Sequence, residues 1–128
     1  MANVSFSTVR FFLERMESHN CVERCTRLRT EDDEYIFEIE RKGGLARVNV
    51  HLSDAYDYGQ WEYLSHPREI GRGDFILIAG FSSRFDESLV ELARKDGIGI
   101  GVLAKFMGAL NLPEVWKYKS PEEKTRGH

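Results

Sequence analysis

The feature of this sequence that most constrains its fold is a pair of apolar segments joined by an amphipathic helical pattern. The first segment is DFILIAGF, residues 74–81, and the second is IGIGVL, residues 98–103. Apolar runs of this length are typical of strands buried on both faces. Between them Ser83 and Asp86 resemble a capping box, apolar residues follow at helical spacing, and Gly97 ends the pattern. A strand, a helix and a strand in about 30 residues predict a right-handed parallel crossover.

The rest of the chain predicts helices and strands around this crossover. In chain order the further elements are a helix at 5–18, strands at 22–29, 34–41 and 46–53, a short helix near 60–65, and a closing helix at 103–112. We therefore expect an α/β sandwich of two or three layers with a mixed sheet, in the order α-β-β-β-(α)-β-α-β-α. In this prediction residues 1–119 form a single domain and residues 120–128 form a polar tail.

The third predicted strand has one apolar and one polar face. Val48, Val50 and Leu52 alternate with Asn49 and His51. Because side chains two positions apart point to the same side of a sheet, the amide and the imidazole share one face. This face is either part of a site or a charged strand surface open to water.

The composition limits the classes of function. The chain of 128 residues carries 18 basic and 21 acidic residues, a net charge of −3, which argues against a protein that coats nucleic acid without sequence preference. A local basic patch in the first thirty residues remains compatible with these numbers. No apolar run approaches the roughly 20 residues that span a bilayer, and the N-terminal residues lack a signal-peptide pattern, so we expect a cytoplasmic protein without membrane contact.

Residues 74–103 resemble the second half of Mrr-type domains in the PD-(D/E)xK nuclease superfamily. In that family a strand ending in a small-residue turn precedes a helix and a short final strand, and a helix with three meandering strands comes first. The resemblance implies an acid on the second strand, followed by Glu or Gln and, two residues later, Lys on the third. It also implies a divalent cation, Mg²⁺ or Mn²⁺, that the carboxylates hold and that activates water.

The third strand departs from this pattern, because Asn49 and His51 stand where the carboxylate and the lysine are required. Candidate acids on the second strand are Asp33 and Glu34 at its start, or Glu38 and Glu40 along its polar face. A catalytic site could be rebuilt from Glu38, Glu40, His51 and Asp54, with Glu40 and Asp54 as the metal ligands. An amide oxygen is a poorer ligand than a carboxylate for a hard cation, so the substitution predicts weaker metal binding.

Three further patterns have simpler interpretations. Gly99 and Gly101 formally match a dinucleotide fingerprint, but the match falls on the last strand, where the glycines more simply allow close packing. Cys21 and Cys25, with His19 nearby, are too few for a zinc site and are expected to be reduced thiols. The loop aromatics Trp61 and Tyr63 either cap the core or form a stacking platform.

The residues predicted to contact nucleic acid are Arg10, Arg24, Arg27, Arg29, Trp61 and Arg68.

These observations lead to three functional hypotheses. The first is a catalytically incomplete nuclease-like domain used in nucleic-acid-associated binding or regulation. The second is an active Mg²⁺- or Mn²⁺-dependent nuclease with a rearranged site. The third is a protein-interaction module or a homodimer with no role on nucleic acid.

Overall fold

A mixed five-stranded sheet organises the fold. The computed structural model of the protein describes residues 5–29, 34–53, 57–79, 84–85 and 88–119. In chain order the strands are β1 Val22–Arg27, β2 Tyr35–Arg41, β3 Val48–Ser53, β4 Asp57–Tyr58, β5 Phe75–Ile78, β6 Arg84–Phe85 and β7 Gly99–Gly101. The helices are α1 Phe6–Ser18, α2 Gln60–Leu64, α3 Ser88–Lys95 and α4 Leu103–Ala109, followed by a 3-10 turn at Val115–Lys117.

The sheet has the strand order β1-β2-β3-β5-β7, whereas β4 and β6 form a separate parallel pair. The first three strands are an antiparallel meander, and β5 and β7 continue parallel to β3. The predicted α/β class with a mixed sheet is confirmed. The strands β4 and β6 were not predicted, because two-residue strands carry no periodicity.

Helices cover both faces of the sheet, which gives three layers. On the first face, α1 and α4 pack over a core that includes Phe12, Met16, Phe37, Val50, Phe75 and Phe106. On the second face, α2, α3 and the segment after α2 pack over a core that includes Ile36, Tyr63, Ile76, Leu89, Ala93 and Ile100. Strand β5 contributes side chains to both cores, as its continuous apolar run predicts, whereas β7 contributes only Ile100, to the second core.

Several elements are shorter than predicted. The closing helix α4 ends at Ala109 because the chain turns toward Pro113, which cannot continue a helix. Strand β7 ends at Gly101 because Val102 is already the N-cap residue of α4. The predicted cap residues Ser83 and Asp86 lie outside the described residues. None of the helices in the described ranges is long and apolar enough to cross a membrane.

One buried arginine joins the end of β2 to the segment after α4. Arg41 is only 5% exposed. Its guanidinium donates hydrogen bonds to the carbonyl oxygens of Ala46, Leu110, Leu112 and Pro113. All four carbonyls lie outside the helices and strands, where backbone groups lack regular partners, so this side chain satisfies groups that would otherwise be unpaired.

Candidate functional site

Polar side chains on the second face connect β3 to the segment 65–74. The side-chain amide Nδ2 of Asn49 donates to the carbonyl oxygen of Glu69 at 2.9 Å, and its backbone N–H donates to Oδ1 of Asp74 at 2.9 Å. The other carboxylate oxygen of Asp74 accepts from the backbone N–H of Gly71 at 2.8 Å. Burial raises the pKa of Asp74, and the two backbone hydrogen bonds oppose that rise. Asn49 therefore positions the loop against the sheet.

His51 is buried next to this contact. Its Nε2 lies 2.7 Å from Oε2 of Glu34, and the whole residue is 9% exposed. Because a carboxylate only accepts, Nε2 carries the proton and donates. The other ring nitrogen, Nδ1, is buried and has no hydrogen-bond partner among the described residues. Burial lowers the pKa of His51, which Glu34 opposes and the charges of Arg29 and His66 reinforce.

Arg29 attaches the chain just beyond β1 to the same segment. Its guanidinium donates twice to the carboxylate of Glu69, at 2.6 and 2.8 Å, and both side chains are largely shielded from water. This bidentate pairing holds the pKa of Glu69 below its usual range. We call Arg29, Glu34, Asn49, His51, Glu69 and Asp74 the polar network.

The predicted catalytic residues have separate partners. Glu38 forms an ion pair with Arg47 at 3.5 Å, and Glu40 forms one with Arg24 at 3.5 Å. His51 is paired with Glu34, as described above. Asp54 lies outside the described residues.

The resemblance implies a divalent cation held by side chains of this polar face. Among the described residues, no group of three or more His, Cys, Asp or Glu side chains could hold a metal ion. At the strand position where the resemblance implies a carboxylate, the amide of Asn49 donates to a carbonyl. The described residues of the polar face thus do not fit a Mg²⁺ or Mn²⁺ site.

The predicted nucleic-acid contacts fall into two groups. Arg27 donates to the carbonyl of Glu34 and stacks over Tyr35 at 4.3 Å, and Arg29 pairs with Glu69, so both support the fold. The other four are exposed on the surface: Arg10, Arg24, Trp61 and Arg68. Arg10 and Arg24 form surface ion pairs with Glu14 and Glu40. Trp61 is 77% exposed on α2.

Two members of the polar network were not predicted from the sequence. Asp74 follows a glycine-rich turn, and an Asp there commonly accepts backbone N–H groups, so this signal was present. Glu69 lies in a loop without periodicity, and its pairing with Arg29 spans 40 residues of sequence. No local pattern indicates such a contact.

The cysteines are free thiols. The Sγ of Cys21 donates to Oδ1 of Asn111 at 3.0 Å, and the backbone N–H of Cys21 donates to His19. His19 in turn donates through Nε2 to the carbonyl of Met107. Burial raises the pKa of Cys25 to about 12. These contacts agree with the interpretation of reduced thiols.

Comparisons of the chain with models of known protein families, with curated proteins and with solved structures found no match.

Proposed function

We propose that this chain is a nuclease-like domain that lacks the catalytic constellation and acts in nucleic-acid-associated binding or regulation. One observation carries the proposal. Asn49 and His51, at the strand position where the PD-(D/E)xK pattern requires a carboxylate and a lysine, both make internal contacts. Asn49 donates to the loop carbonyl of Glu69 and His51 donates to Glu34, so these side chains support structure.

The strand order supports the nuclease-like part of the proposal. An initial helix, three meandering antiparallel strands and two further parallel strands are what the resemblance implies. The helix α3 joins β5 to β7, as the 74–103 pattern predicts. The fold does not depend on catalytic residues, because its two cores are built from apolar side chains on the two faces of the sheet.

The contacts of the acidic residues favour binding over a rearranged catalytic site. Arg47 and Arg24 already neutralise Glu38 and Glu40. A metal-dependent nuclease needs carboxylates that converge on a cation. Each of these two carboxylates instead has an arginine as its partner.

The exposed residues supply the chemistry for binding. Trp61 offers an aromatic face on which an unpaired base could stack, and Arg68 is an exposed cation on the segment that follows α2. The ion pair of Arg10 with Glu14 is solvent-exposed and contributes little to stability, so phosphate can replace the carboxylate as the partner of Arg10. We therefore propose single-stranded nucleic acid as the first ligand to test.

The binding test uses labelled single-stranded and duplex oligonucleotides at low and moderate salt. We expect binding to the single strand that weakens as salt rises, because phosphate contacts release counterions. Trp61→Ala and Arg68→Ala should each weaken it several-fold. Lys119→Ala is the matched control, since it removes an exposed cation beyond the 3-10 turn. Absence of binding to DNA and RNA at low salt would contradict the proposal.

The cleavage test separates the two nuclease-like hypotheses. Plasmid and single-stranded substrates are incubated with the protein and Mg²⁺ or Mn²⁺. We expect both substrates to remain intact. Cleavage that disappears in Glu40→Ala and His51→Ala would instead establish a rearranged active site.

A further inference from the structure

The segment between α2 and β5 contains two successive β-turns, residues 67–74, which we call the double turn. In the first turn the backbone N–H of Ile70 donates to the carbonyl of Pro67 at 3.0 Å. Arg68 comes directly after the accepting residue and is exposed. Ile70 is only 2% exposed and belongs to the core of the second face, so the end of this turn is fixed to the sheet.

The second turn repeats this arrangement. The backbone N–H of Asp74 donates to the carbonyl of Gly71 at 3.0 Å, and Arg72 follows the accepting residue. Gly73 comes next with a φ of 95°, a left-handed conformation for which turns use glycine. Arg72 is also exposed, so each of the two turns presents one arginine at the same turn position.

The polar network fixes both turns. In the first turn the carboxylate of Glu69 accepts two hydrogen bonds from Arg29, and its carbonyl accepts one from the side chain of Asn49. In the second turn the carboxylate of Asp74 accepts from the backbone N–H groups of Asn49 and Gly71. Turns that are already ordered lose less conformational freedom when they bind a ligand.

The side chain of Arg72 has a defined position on the surface. It lies over the backbone of Gly97, where an added Cβ atom would come within 2.6 Å of Cγ of Arg72. Its guanidinium lies 5.4 Å from the ring centroid of Trp116. Contact with an aromatic face orients the planar guanidinium and leaves the N–H groups along its edge for a ligand.

The double turn carries positive charge that no acid neutralises within the described ranges. Neither Arg68 nor Arg72 forms an ion pair with a described acidic side chain. The neighbouring acids have other partners: Glu69 pairs with Arg29, Glu91 with Arg94, Glu114 with Lys117, and Asp96 accepts from Tyr63. A guanidinium without an acidic partner can donate two parallel hydrogen bonds to a phosphate.

The two tryptophans differ in what lies over their rings. Arg72 and Lys117 lie over the ring of Trp116, at 5.4 and 5.2 Å from its centroid. In the described part of the chain no cation lies over the ring of Trp61, which is 77% exposed. A base can therefore stack on Trp61, whereas Trp116 holds a cation in place.

Given the proposed binding of a single strand, on which this inference rests, we propose that the double turn binds the phosphate groups of that strand. Arg68 and Arg72 are the two contacts, and the ring of Trp116 supports Arg72. The two arginines are four residues apart, so their Cα atoms are separated by at most about 14 Å. One strand can therefore contact both arginines while one of its bases stacks on Trp61.

The first experiment measures the binding of a labelled oligothymidine at several salt concentrations. Arg72→Ala should weaken binding several-fold and reduce the slope of log K against log salt by about 0.7, because one phosphate contact fewer releases fewer counterions. Arg15→Ala is the matched control, since its guanidinium also lies over an aromatic ring, that of Phe11, but on α1 at the first face. We expect the control to keep the affinity and the slope. Wild-type affinity and slope in Arg72→Ala would overturn the phosphate contact and leave the proposed function standing.

The second experiment uses Trp116 as a reporter. The Trp61→Phe protein keeps an aromatic ring on α2 and has Trp116 as its one remaining tryptophan. We expect oligothymidine and sodium tripolyphosphate each to change the emission of Trp116, because a bound phosphate shifts the guanidinium over its ring. The change should be lost when Arg72→Ala is added to this protein. Sodium chloride at equal ionic strength controls for screening.

The tripolyphosphate titration separates failure of the phosphate contact from failure of the proposed function. A response that requires Arg72, together with no binding of DNA or RNA, would support the phosphate contact and contradict the proposed function. Binding of oligothymidine without any response of Trp116 would overturn the phosphate contact alone. No response to tripolyphosphate and no binding of oligonucleotides would overturn both.

Discussion

At the scale of single residues, the polar face of β3 is defined by what Asn49 and His51 contact. Asn49 holds the loop at Glu69 and Asp74, and His51 is buried against Glu34. Buried polar groups of this kind are costly unless paired, and in this network most of the donors and acceptors meet. Among the described residues of the network, the exception is Nδ1 of His51, the ring nitrogen that takes up a proton when this histidine becomes charged.

We predict that His51 makes the protein less stable in mild acid. Burial lowers the pKa of His51 in the folded state below its ordinary value of 6.5. Between these two pKa values the unfolded chain binds a proton that the folded chain does not, so the free energy of unfolding rises with pH. Below the pKa of His51 in the folded state, both states bind the proton and the decrease in the free energy of unfolding is complete.

The measurement is urea unfolding at half-unit steps from pH 5 to pH 7.5. In the wild-type protein we expect this histidine to make the free energy of unfolding rise with pH by at most about 1.4 kcal/mol per pH unit. His51→Gln should show a flatter profile over the same window. Parallel profiles for the two proteins would contradict the prediction.

At the scale of elements, the contact between β2 and the segment after α4 depends on one guanidinium. Arg41 serves four carbonyl oxygens from two distant parts of the chain. A lysine in its place keeps the charge but offers one compact ammonium group, which cannot reach all four.

We predict that Arg41→Lys lowers the free energy of unfolding by about 2–4 kcal/mol, because buried carbonyls lose charged donors. Urea denaturation monitored by circular dichroism is the measurement. Arg47→Lys is the matched control, since the side chain of Arg47 is 67% exposed and its ion pair with Glu38 is on the surface. We expect the control to change stability by no more than about 0.5 kcal/mol. Equal losses in the two variants would show that Arg41 has no special role.

Strand β7 requires glycine where it approaches β5. A Cβ atom added at Gly99 would lie 2.5 Å from the ring of Phe75 and 3.4 Å from the backbone of Trp116. Gly99→Ala should therefore destabilise the protein by about 1–3 kcal/mol through overpacking. Gly71→Ala is the matched control, because nothing lies within 4 Å of a Cβ there. A thermal midpoint for Gly99→Ala equal to that of Gly71→Ala would refute this packing argument.

At the scale of the whole molecule, two tryptophans report on two separate parts of the fold. Trp61 lies on α2 above the second face, and Trp116 lies in the 3-10 turn beside β7. If residues 1–119 form a single cooperative domain, Trp61→Phe and Trp116→Phe proteins should each show a fluorescence midpoint in urea that coincides with their own circular-dichroism midpoint. Separate midpoints within either variant would indicate that parts of the chain unfold independently.

Much of the architecture could be predicted because periodicity is local. The alternation of Val48, Val50 and Leu52 with Asn49 and His51 assigned both faces of β3 correctly. The continuous runs at 74–81 and 98–103 indicated buried strands. Local patterns therefore accounted for the sheet and its main helices.

The candidate site was harder to predict because its contacts are not local. Glu69 meets Arg29 across 40 residues, and Asn49 meets Asp74 across 25. The predicted acids Glu38 and Glu40 lie on the expected strand. Their partners are arginines and not a metal ion, because β1 places Arg24 beside Glu40 and the residues before β3 place Arg47 beside Glu38. Sequence patterns define which side chains share a face, whereas their partners follow from the tertiary fold.

The contacts of Arg41 also bear on how the chain folds during synthesis. The meander of β1, β2 and β3 is complete at residue 53, but three of the four carbonyls that Arg41 contacts belong to residues 110–113. On the ribosome, the meander therefore emerges with a cation that has only the carbonyl of Ala46 as its native acceptor. Burial of that cation becomes favourable once residues 110–113 have been synthesised, so this late segment completes the packing of the earliest strands.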